Sequence, residues 1–531
     1  MPADRIKPID STPLTPTLFL RDPGAIILLV IAVFAGAWRT YGLEREGMGL
    51  DEISQARIAR GNRSSELKGS LGKSYVPAAS LVSATSWMWL GGRAAKEQQP
   101  PLDYALQRIV NQFSARDAAQ RAVACACGTI AVFLTGWLGV LLGGLRVGIV
   151  SELLLSVLPL HVEMSRTARP YTIAHVMWLA VMLIGYWAYR TNTRRAWIIF
   201  AAAALVFLMT RGDLPLFALA TLGLLFLVIR CWRGVVALLA AGTLYLPVFA
   251  LLLYSGRGYL ASGQTFSFNA QMLTRAIGAL AGPLPYILLS LAVLGVWAVR
   301  RQPLALWFVG LCGLTLLLHL SFWFARVGSP LFPRYLVHYS TPLAILAAFG
   351  FWSVVSLLSP PRYTLPVGAG LFFIGFIGLG ALAFQREQLP TKEGWREAAL
   401  FATQQGIDHI WMFKTGPFVA ATPAGPGHVM WVPEFLGDWY RPIASSMPLS
   451  VGGDAPSGKL AVVVWEEDLY DAGREPLLDV DNFDHIRFYR LHMYVPRSAC
   501  GPHCTMEGVL KILSRQSGYL EFQREVMRLG L

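Results

Sequence analysis

The chain has 531 residues, 54% of them hydrophobic and 15% charged, with a mean hydropathy of +0.48. Soluble domains carry about 25% charged residues, so a soluble globular protein is excluded and an integral membrane protein is indicated. Residues 390–531 hold 13 Lys/Arg against 17 Asp/Glu, a net of −4, and the whole chain is +13, so residues 1–389 carry +17; these bases lie in short loops between apolar runs, which fits cytoplasmic anchoring and argues against nucleic-acid binding.

Met1–Leu20 is polar and Pro-rich, and the apolar run after Asp22 lacks a clear cleavage site, so it reads as a retained span rather than a secretory signal. A transmembrane helix needs roughly 20 apolar residues. On that criterion the sequence predicts eleven spans: 24–41, 120–143, 147–161, 171–189, 196–210, 214–230, 234–254, 277–299, 303–324, 335–358 and 363–384. The connections with Arg146, with Arg190, Arg194 and Arg195, with Arg230 and Arg233, with Arg300 and Arg301, and with Arg362 fall on one side if the spans alternate. Basic short loops mark the cytoplasm, which puts the N-terminus inside and the tail outside. The expected architecture is an α-helical polytopic bundle of about 11 transmembrane helices followed by an extracytoplasmic α/β domain. Its divisions are a cytoplasmic segment 1–23, a membrane domain 24–389 that includes a first outer loop 42–118, and a tail domain 390–531.

The outward face collects the polar segments. The first loop carries GLDEISQARIARG, with Asp51 and Glu52 side by side, and then QQPPLDYALQRIVNQF. Pro100 and Pro101 can open a helix there, and Leu102, Ala105, Leu106, Ile109, Val110 and Phe113 form a helical stripe, as in an amphipathic helix on the bilayer surface. Val76–Leu90 is apolar but too short for a span and reads as a surface or re-entrant piece. The same face receives 161–171, TRGD at 210–213, the Gly/Ser/Asn-rich loop 255–272 and ARVGSPLFPRY at 325–335. In the tail, 393–405, 509–516 and 520–529 read as helices, and 409–413, 460–465 and 485–495 as strands.

Between Asp117 and Glu387 the only acidic side chains are Glu152, Glu163 and Asp213. In a chain so poor in acid, Asp51 and Glu52 are the candidates for a general base; the plain alternative is two acids that favour a helix N-terminus. Asp103 is a third acid beneath the same surface, with a solvated polar face as its plain alternative. Arg166, Arg169, Arg211, Arg326 and Arg334 stand at or near outer ends of spans, where arginine is unexpected. Singly each fits headgroup snorkelling; together they suggest a phosphate site built of guanidinium forks. His161, Glu163 and His175 lack metal-ligand spacing, so a divalent metal stays open without a defined ligand set. Asp213 has Arg211 close by as a local partner. Cys125, Cys127, Cys231 and Cys312 fall in apolar segments as small core residues. For Cys500 and Cys504 a disulfide leads in an oxidising compartment, with free thiols or half a metal site as alternatives.

The ordered set DEISQARIARG, QQPPLDYAL, ARDAAQRAVACACG, SRTARPY and PRYLVHYSTPLAIL, with KEGWREAALF opening the tail, resembles the GT-C membrane glycosyltransferases, the superfamily of protein O-mannosyltransferases and lipid A aminoarabinose transferases. The resemblance implies transfer of a sugar from a polyprenyl-phosphate carrier to an acceptor outside the bacterial cytoplasmic membrane. It implies that Asp51 matches the catalytic Asp and Glu52 its partner. It also implies that Arg334 and Tyr335 match an Arg-Tyr pair beside the donor phosphate. Arg169, Arg211, Arg166, Tyr171 and Asp103 complete the candidate set for binding donor phosphate and substrate. At Asp103 the family more often has an aromatic or His. Two other classes stay open: a secondary transporter or lipid-linked-sugar flippase, which calls for midplane ionisable groups and paired halves, and a non-catalytic carbohydrate-binding membrane protein that works through its tail. An O-antigen polymerase or ligase would carry its large outer loop late in the chain.

Overall fold

A computed structural model describes residues 23–45, 47–60, 94, 99–114, 116–260, 270–325, 333–388, 394, 396–398, 401, 409–413, 449–451, 460–465, 483–488 and 491–496. The expected elements at 76–90, 509–516 and 520–529, together with Arg326, Cys500, Cys504 and residues 261–269 of the expected loop 255–272, lie outside the described residues; the two ends of that loop, 255–260 and 270–272, are helical instead.

The helices are α1 (Pro23–Thr40), α2 (Leu50–Arg60), α3 (Leu102–Phe113), α4 (Asp117–Gly143), α5 (Leu145–Val157), α6 (Pro159–Ser165), α7 (Tyr171–Thr191), α8 (Arg194–Leu208), α9 (Leu214–Val228), α10 (Trp232–Leu260), α11 (Ala270–Ala281), α12 (Pro285–Val299), α13 (Pro303–Ala325), α14 (Ser340–Leu358) and α15 (Thr364–Gln388), with a 3-10 helix Pro333–Tyr339 leading into α14. Among the described residues seven helices are long and apolar enough to cross a membrane, or eight if α5 and α6 count as one broken span. Large apolar side chains such as Leu239, Leu244, Val293, Leu317 and Phe373 are exposed along these helices. Water would not tolerate so many together; a lipid shell would.

Of the eleven expected spans, 196–210 and 214–230 are the 15-residue helices α8 and α9, which are not among those long enough to cross; two others are broken, and proline explains both breaks. The span 147–161 is α5 and α6, bent by 65°. Pro159 cannot donate to the helical ladder, and it forces Leu158 into extended backbone at ψ 117°. The span 277–299 breaks between α11 and α12, where Gly282 adopts φ +74° and Pro283 and Pro285 follow. Gly144, at φ +82°, turns the chain tightly from α4 into α5 at a backbone angle that L side chains rarely adopt.

Small residues bring the buried helices together. A Cβ on Gly350 of α14 would run into the carbonyl oxygen of Leu291 on α12, and one on Gly295 into that of Leu346. A Cβ on Gly139 of α4 would lie 2.9 Å from the Cα of Gly148 on α5. Helices in lipid gain little from hydrophobic exclusion, so such backbone-to-backbone approach carries their association. At one end of the bundle two of the basic connections meet, where Arg233 Nη1 donates to the carbonyl of Asn192, and Trp352 Nε1 of α14 donates to that of Arg146 at 3.1 Å.

On the opposite end, α2 is fastened to α4. Arg121 Nε donates to Glu52 Oε1 at 2.9 Å and Nη2 to Oε2 at 2.8 Å, while its remaining N–H groups reach the carbonyls of Leu43 and Gly47. The start of the tail joins the same end: Arg396 donates to the carbonyls of Glu44 and Arg45, each at 2.9 Å, and pairs with Asp117 at 3.3 Å. The tail therefore begins on the face that carries the first loop.

Further along the tail, β1 (His409–Phe413), β2 (Leu449–Val451), β3 (Leu460–Trp465), β4 (Phe483–Phe488) and β5 (Leu491–Pro496) form a sheet of order β2-β1-β3-β5-β4. β1 runs parallel to β2 and β3, and β5 is antiparallel to β3 and β4. The stretch 485–495, expected as one strand, is two: β4 and β5 pair with Arg487 opposite His492. Met493 and Val495 alternate onto the buried face.

Two stability outcomes follow from this packing. Gly350→Ala overpacks a backbone contact at a cost of about 1–3 kcal/mol, so the melting temperature in detergent should fall by at least about 2 °C; an unchanged value would mean that α12 and α14 do not cross there. Glu52→Ala strands a buried guanidinium at a cost of about 3–5 kcal/mol, whereas Asp51→Ala, at a half-exposed position, should cost far less. Equal losses of melting temperature in the two variants would contradict the buried pair.

Candidate active site

Asp51 and Glu52 open α2 next to each other, and neighbours on a helix point about 100° apart. Glu52 turns inward and is 1% exposed. Besides Arg121, it accepts from the backbone N–H of Ala168 at 2.8 Å and of Gly49 at 3.0 Å. The bond to Gly49 reaches back over the helix start as the glutamate of a capping box does. With both carboxylate oxygens doubly engaged, Glu52 is a fastener between the first loop, α4 and the loop before α7. Asp51 faces the other way, 47% exposed, with Arg334 Nη1 3.0 Å from its Oδ2.

Around Asp51 the structure gathers cations from three separate segments, two loops and the 3-10 helix. Arg169 directs Nη1 to Gln55 Oε1 at 3.2 Å and to the carbonyl of Asp51 at 3.5 Å, and its Nε finds no acceptor among the described residues. Arg211 pairs through Nη2 with Asp213 Oδ2 at 2.6 Å, and its Nη1 is likewise without an acceptor. The Arg211 guanidinium lies 4.8 Å from the ring centre of Tyr171 and 5.3 Å from that of Tyr335, whose own centres are 6.2 Å apart. Arg334 lies 5.7 Å from the Tyr335 ring. Ring faces stabilise cations that would otherwise repel one another.

The acids of the cluster differ in character. Burial alone would raise Asp213, but the Arg211 guanidinium, His319 at 3.4 Å and the Leu214 N–H outweigh it and hold the carboxyl well below the usual carboxylate range. Asp213 also caps α9. Asp103 is 2% exposed, so it cannot meet a ligand directly; burial pushes its carboxyl up to about 7 against the pull of Arg169 and Gln55. It accepts from Gln55 Nε2 and, at 3.4 Å, from Gln107 Nε2.

Thus Asp51, Arg169, Tyr171, Arg211, Arg334 and Tyr335 converge. Arg166 does not join them: its Nη2 donates to the carbonyl of Tyr41 at 2.8 Å, beside Gly42. His161 accepts through Nδ1 from Arg39 at 2.9 Å, and His175 shares a bond with Thr341 Oγ1 at 2.8 Å. Among the described residues no three His, Cys, Asp or Glu side chains are placed to hold a metal ion. Gln55, Gln107 and His319 escaped the sequence reading. Only Gln55 had a signal, since it follows Asp51 by four residues and so shares its side of α2.

The arrangement sets a half-exposed carboxylate beside guanidinium N–H groups that still have bonds to give. That combination can take a proton from one group while holding an anion next to it.

No protein-family model and no curated protein matches the sequence. Among solved structures, ArnT from Cupriavidus metallidurans in the apo state superposes with a TM-score of 0.51 at 14% identity, over 90% of this chain and 98% of that one. The same protein bound to undecaprenyl phosphate gives 0.50 at 15% identity, over 90% and 99%. With the likeness running through nearly the whole of both chains, this protein has the fold seen in ArnT.

Proposed function

We propose that the chain is a membrane glycosyltransferase that moves a sugar from a polyprenyl-phosphate donor to an acceptor outside the cytoplasmic membrane. The observation that carries this reading is Asp51 at the edge of the Arg169–Arg211–Arg334 cluster, with Arg169 Nε and Arg211 Nη1 lacking acceptors among the described residues. Buried N–H groups without acceptors cost free energy, and phosphate oxygens supply the acceptors that guanidinium forks match. The undecaprenyl phosphate held by ArnT is a ligand of the required chemistry.

The reaction is an inverting displacement. Asp51 accepts the proton of an acceptor hydroxyl as its oxygen bonds to the anomeric carbon. The bond from that carbon to the phosphate oxygen breaks, and its electron pair leaves with the lipid phosphate. Arg334, Arg211 and Arg169 receive the growing negative charge, while Tyr171 and Tyr335 wall the site. Glu52 positions Asp51 by pinning the first turn of α2. The side of the membrane follows from the basic loops at the far end of the bundle; the N-terminus lies inside. The tail domain lies outside, which agrees with Arg396 anchoring its start to the first loop. The organism class implied is bacterial.

A purified preparation screened against polyprenyl-phosphate sugars should transfer one of them, and Asp51→Asn should cut turnover by at least about 10²-fold with an unchanged melting temperature. Near-normal transfer by that variant removes Asp51 from the role. A topology reporter fused after Gln388 should be active outside the cytoplasm, and a cytosolic signal would put the whole assembly on the wrong side.

A further inference from the structure

Behind the cluster lies a chain of side chains that links Asp103 to Arg169. Gln55 is 1% exposed and stands one helical turn after Asp51. Its Nε2 donates to Asp103 Oδ2, and its Oε1 accepts from Arg169 Nη1 at 3.2 Å. Gln107 Nε2 then ties Asp103 to the carbonyl of Ala168 at 3.2 Å, the residue before Arg169. A carboxylate only accepts and a guanidinium only donates. A primary amide between the two therefore has a single satisfied orientation, with its NH2 toward Asp103 and its carbonyl toward Arg169.

We propose that Asp103 is a positioning residue: by fixing the Gln55 amide in this orientation it keeps Arg169 aimed at the phosphate site beside Asp51. The proposal rests on the cluster being that phosphate site and assigns the buried acid that orders it.

The side chains facing Asp103 are Gln55 from α2, Arg169 from the loop before α7, Cys127 from α4 and Gln107 on its own helix. With its carboxyl raised to about 7 by burial, against Arg169 and Gln55, Asp103 gains a proton as pH falls through neutrality. A protonated carboxyl can donate to the Gln55 oxygen, which frees the amide to turn its NH2 toward the guanidinium. Arg169 then loses its Gln55 acceptor and keeps the more distant Asp51 carbonyl. Order at the phosphate site is thus present above about pH 7 and lost below it.

The test uses the full-length protein in detergent with undecaprenyl phosphate as the probe. At pH 8, Asp103→Asn should weaken binding about tenfold, the worth of one hydrogen bond to a charged group. Adding Gln55→Glu should return affinity to within about threefold of the original, because the introduced amide then donates to the introduced carboxylate, which in turn faces Arg169. Loss of a merely structural carboxylate would not be mended by a second change. Between pH 8 and 6, affinity should fall more steeply in the unaltered protein than in Asp103→Asn; ionisation of the probe is common to both and cancels in their ratio. A second measurement needs no lipid: phenylglyoxal should label Arg169 several-fold faster in Asp103→Asn, and at the original rate in the double variant. Unchanged affinity and labelling in a normally folded Asp103→Asn protein, or no recovery in the double variant, would overturn the proposal. Failure of the unaltered protein to bind undecaprenyl phosphate, or full binding by Arg211→Ala, would sink the phosphate-site reading instead, while Arg169 labelling still decides the link to Asp103.

Discussion

The bidentate pair between Glu52 and Arg121 is the constraint on which the site depends. A glutamate at 1% exposure and an arginine at 3% are tolerable in such a place only if their bonding capacity is met. Here Glu52 also takes the N–H groups of Gly49 and Ala168, while Arg121 also gives to Leu43 and Gly47. One knot thereby ties the entry to the first loop, the start of α2, the body of α4 and the loop carrying Arg169. Asp51 has no such freedom to bind inward. It is presented at the surface because its neighbour is spoken for.

The cations are held by the same economy of partners. Three guanidiniums in one cluster repel, and each is restrained from a different direction: Arg211 by Asp213 and two tyrosine rings, Arg169 by Gln55 and a backbone carbonyl, Arg334 by Asp51. None of these partners uses up the whole fork. Donors fixed before a ligand arrives cost no reorganisation when charge develops, and the glycine-on-glycine packing of α4 with α5, and of α12 with α14, gives the loops a stiff base. Asp213 belongs to this scheme as a permanent anion, since Arg211 and His319 hold it ionised despite its burial.

Much of this could be read from residue order. Alternating spans sort loops onto two faces, so the sequence reading already placed Asp51, Arg169, Tyr171, Arg211, Arg334 and Tyr335 on one face, and the structure brings them together. What escaped was directional or neutral. Adjacent acids on a helix diverge by a known angle, but nothing in the sequence says which of Asp51 and Glu52 turns inward; the location of Arg121 decides it. Arg166, close to Arg169 in sequence, turns to the Tyr41 carbonyl instead. Gln55 and Gln107 carry no charge to attract notice, yet they join Asp103 to the cluster. Apolar windows also hid the breaks at Pro159 and at Gly282, since hydropathy averages over a residue whose effect is on backbone geometry.

On the proposed reaction, the total charge of the cluster is the same before and after transfer. Arg169, Arg211 and Arg334 face Asp51 and Asp213, with Asp103 behind Gln55, and the donor adds a phosphodiester monoanion. Transfer moves a proton onto Asp51 and leaves a phosphate that carries a second negative charge. The negative charge has then shifted from the carboxylate to the phosphate while the total stays the same. Arg334 is the residue that can follow it: it touches Asp51 at 3.0 Å and keeps a third of its side chain exposed, so neutralising Asp51 releases a guanidinium beside the newly formed anion. The ion pair between Arg334 and Asp51 is, on this view, the ground state of a cation that changes partners as the bond to the sugar breaks.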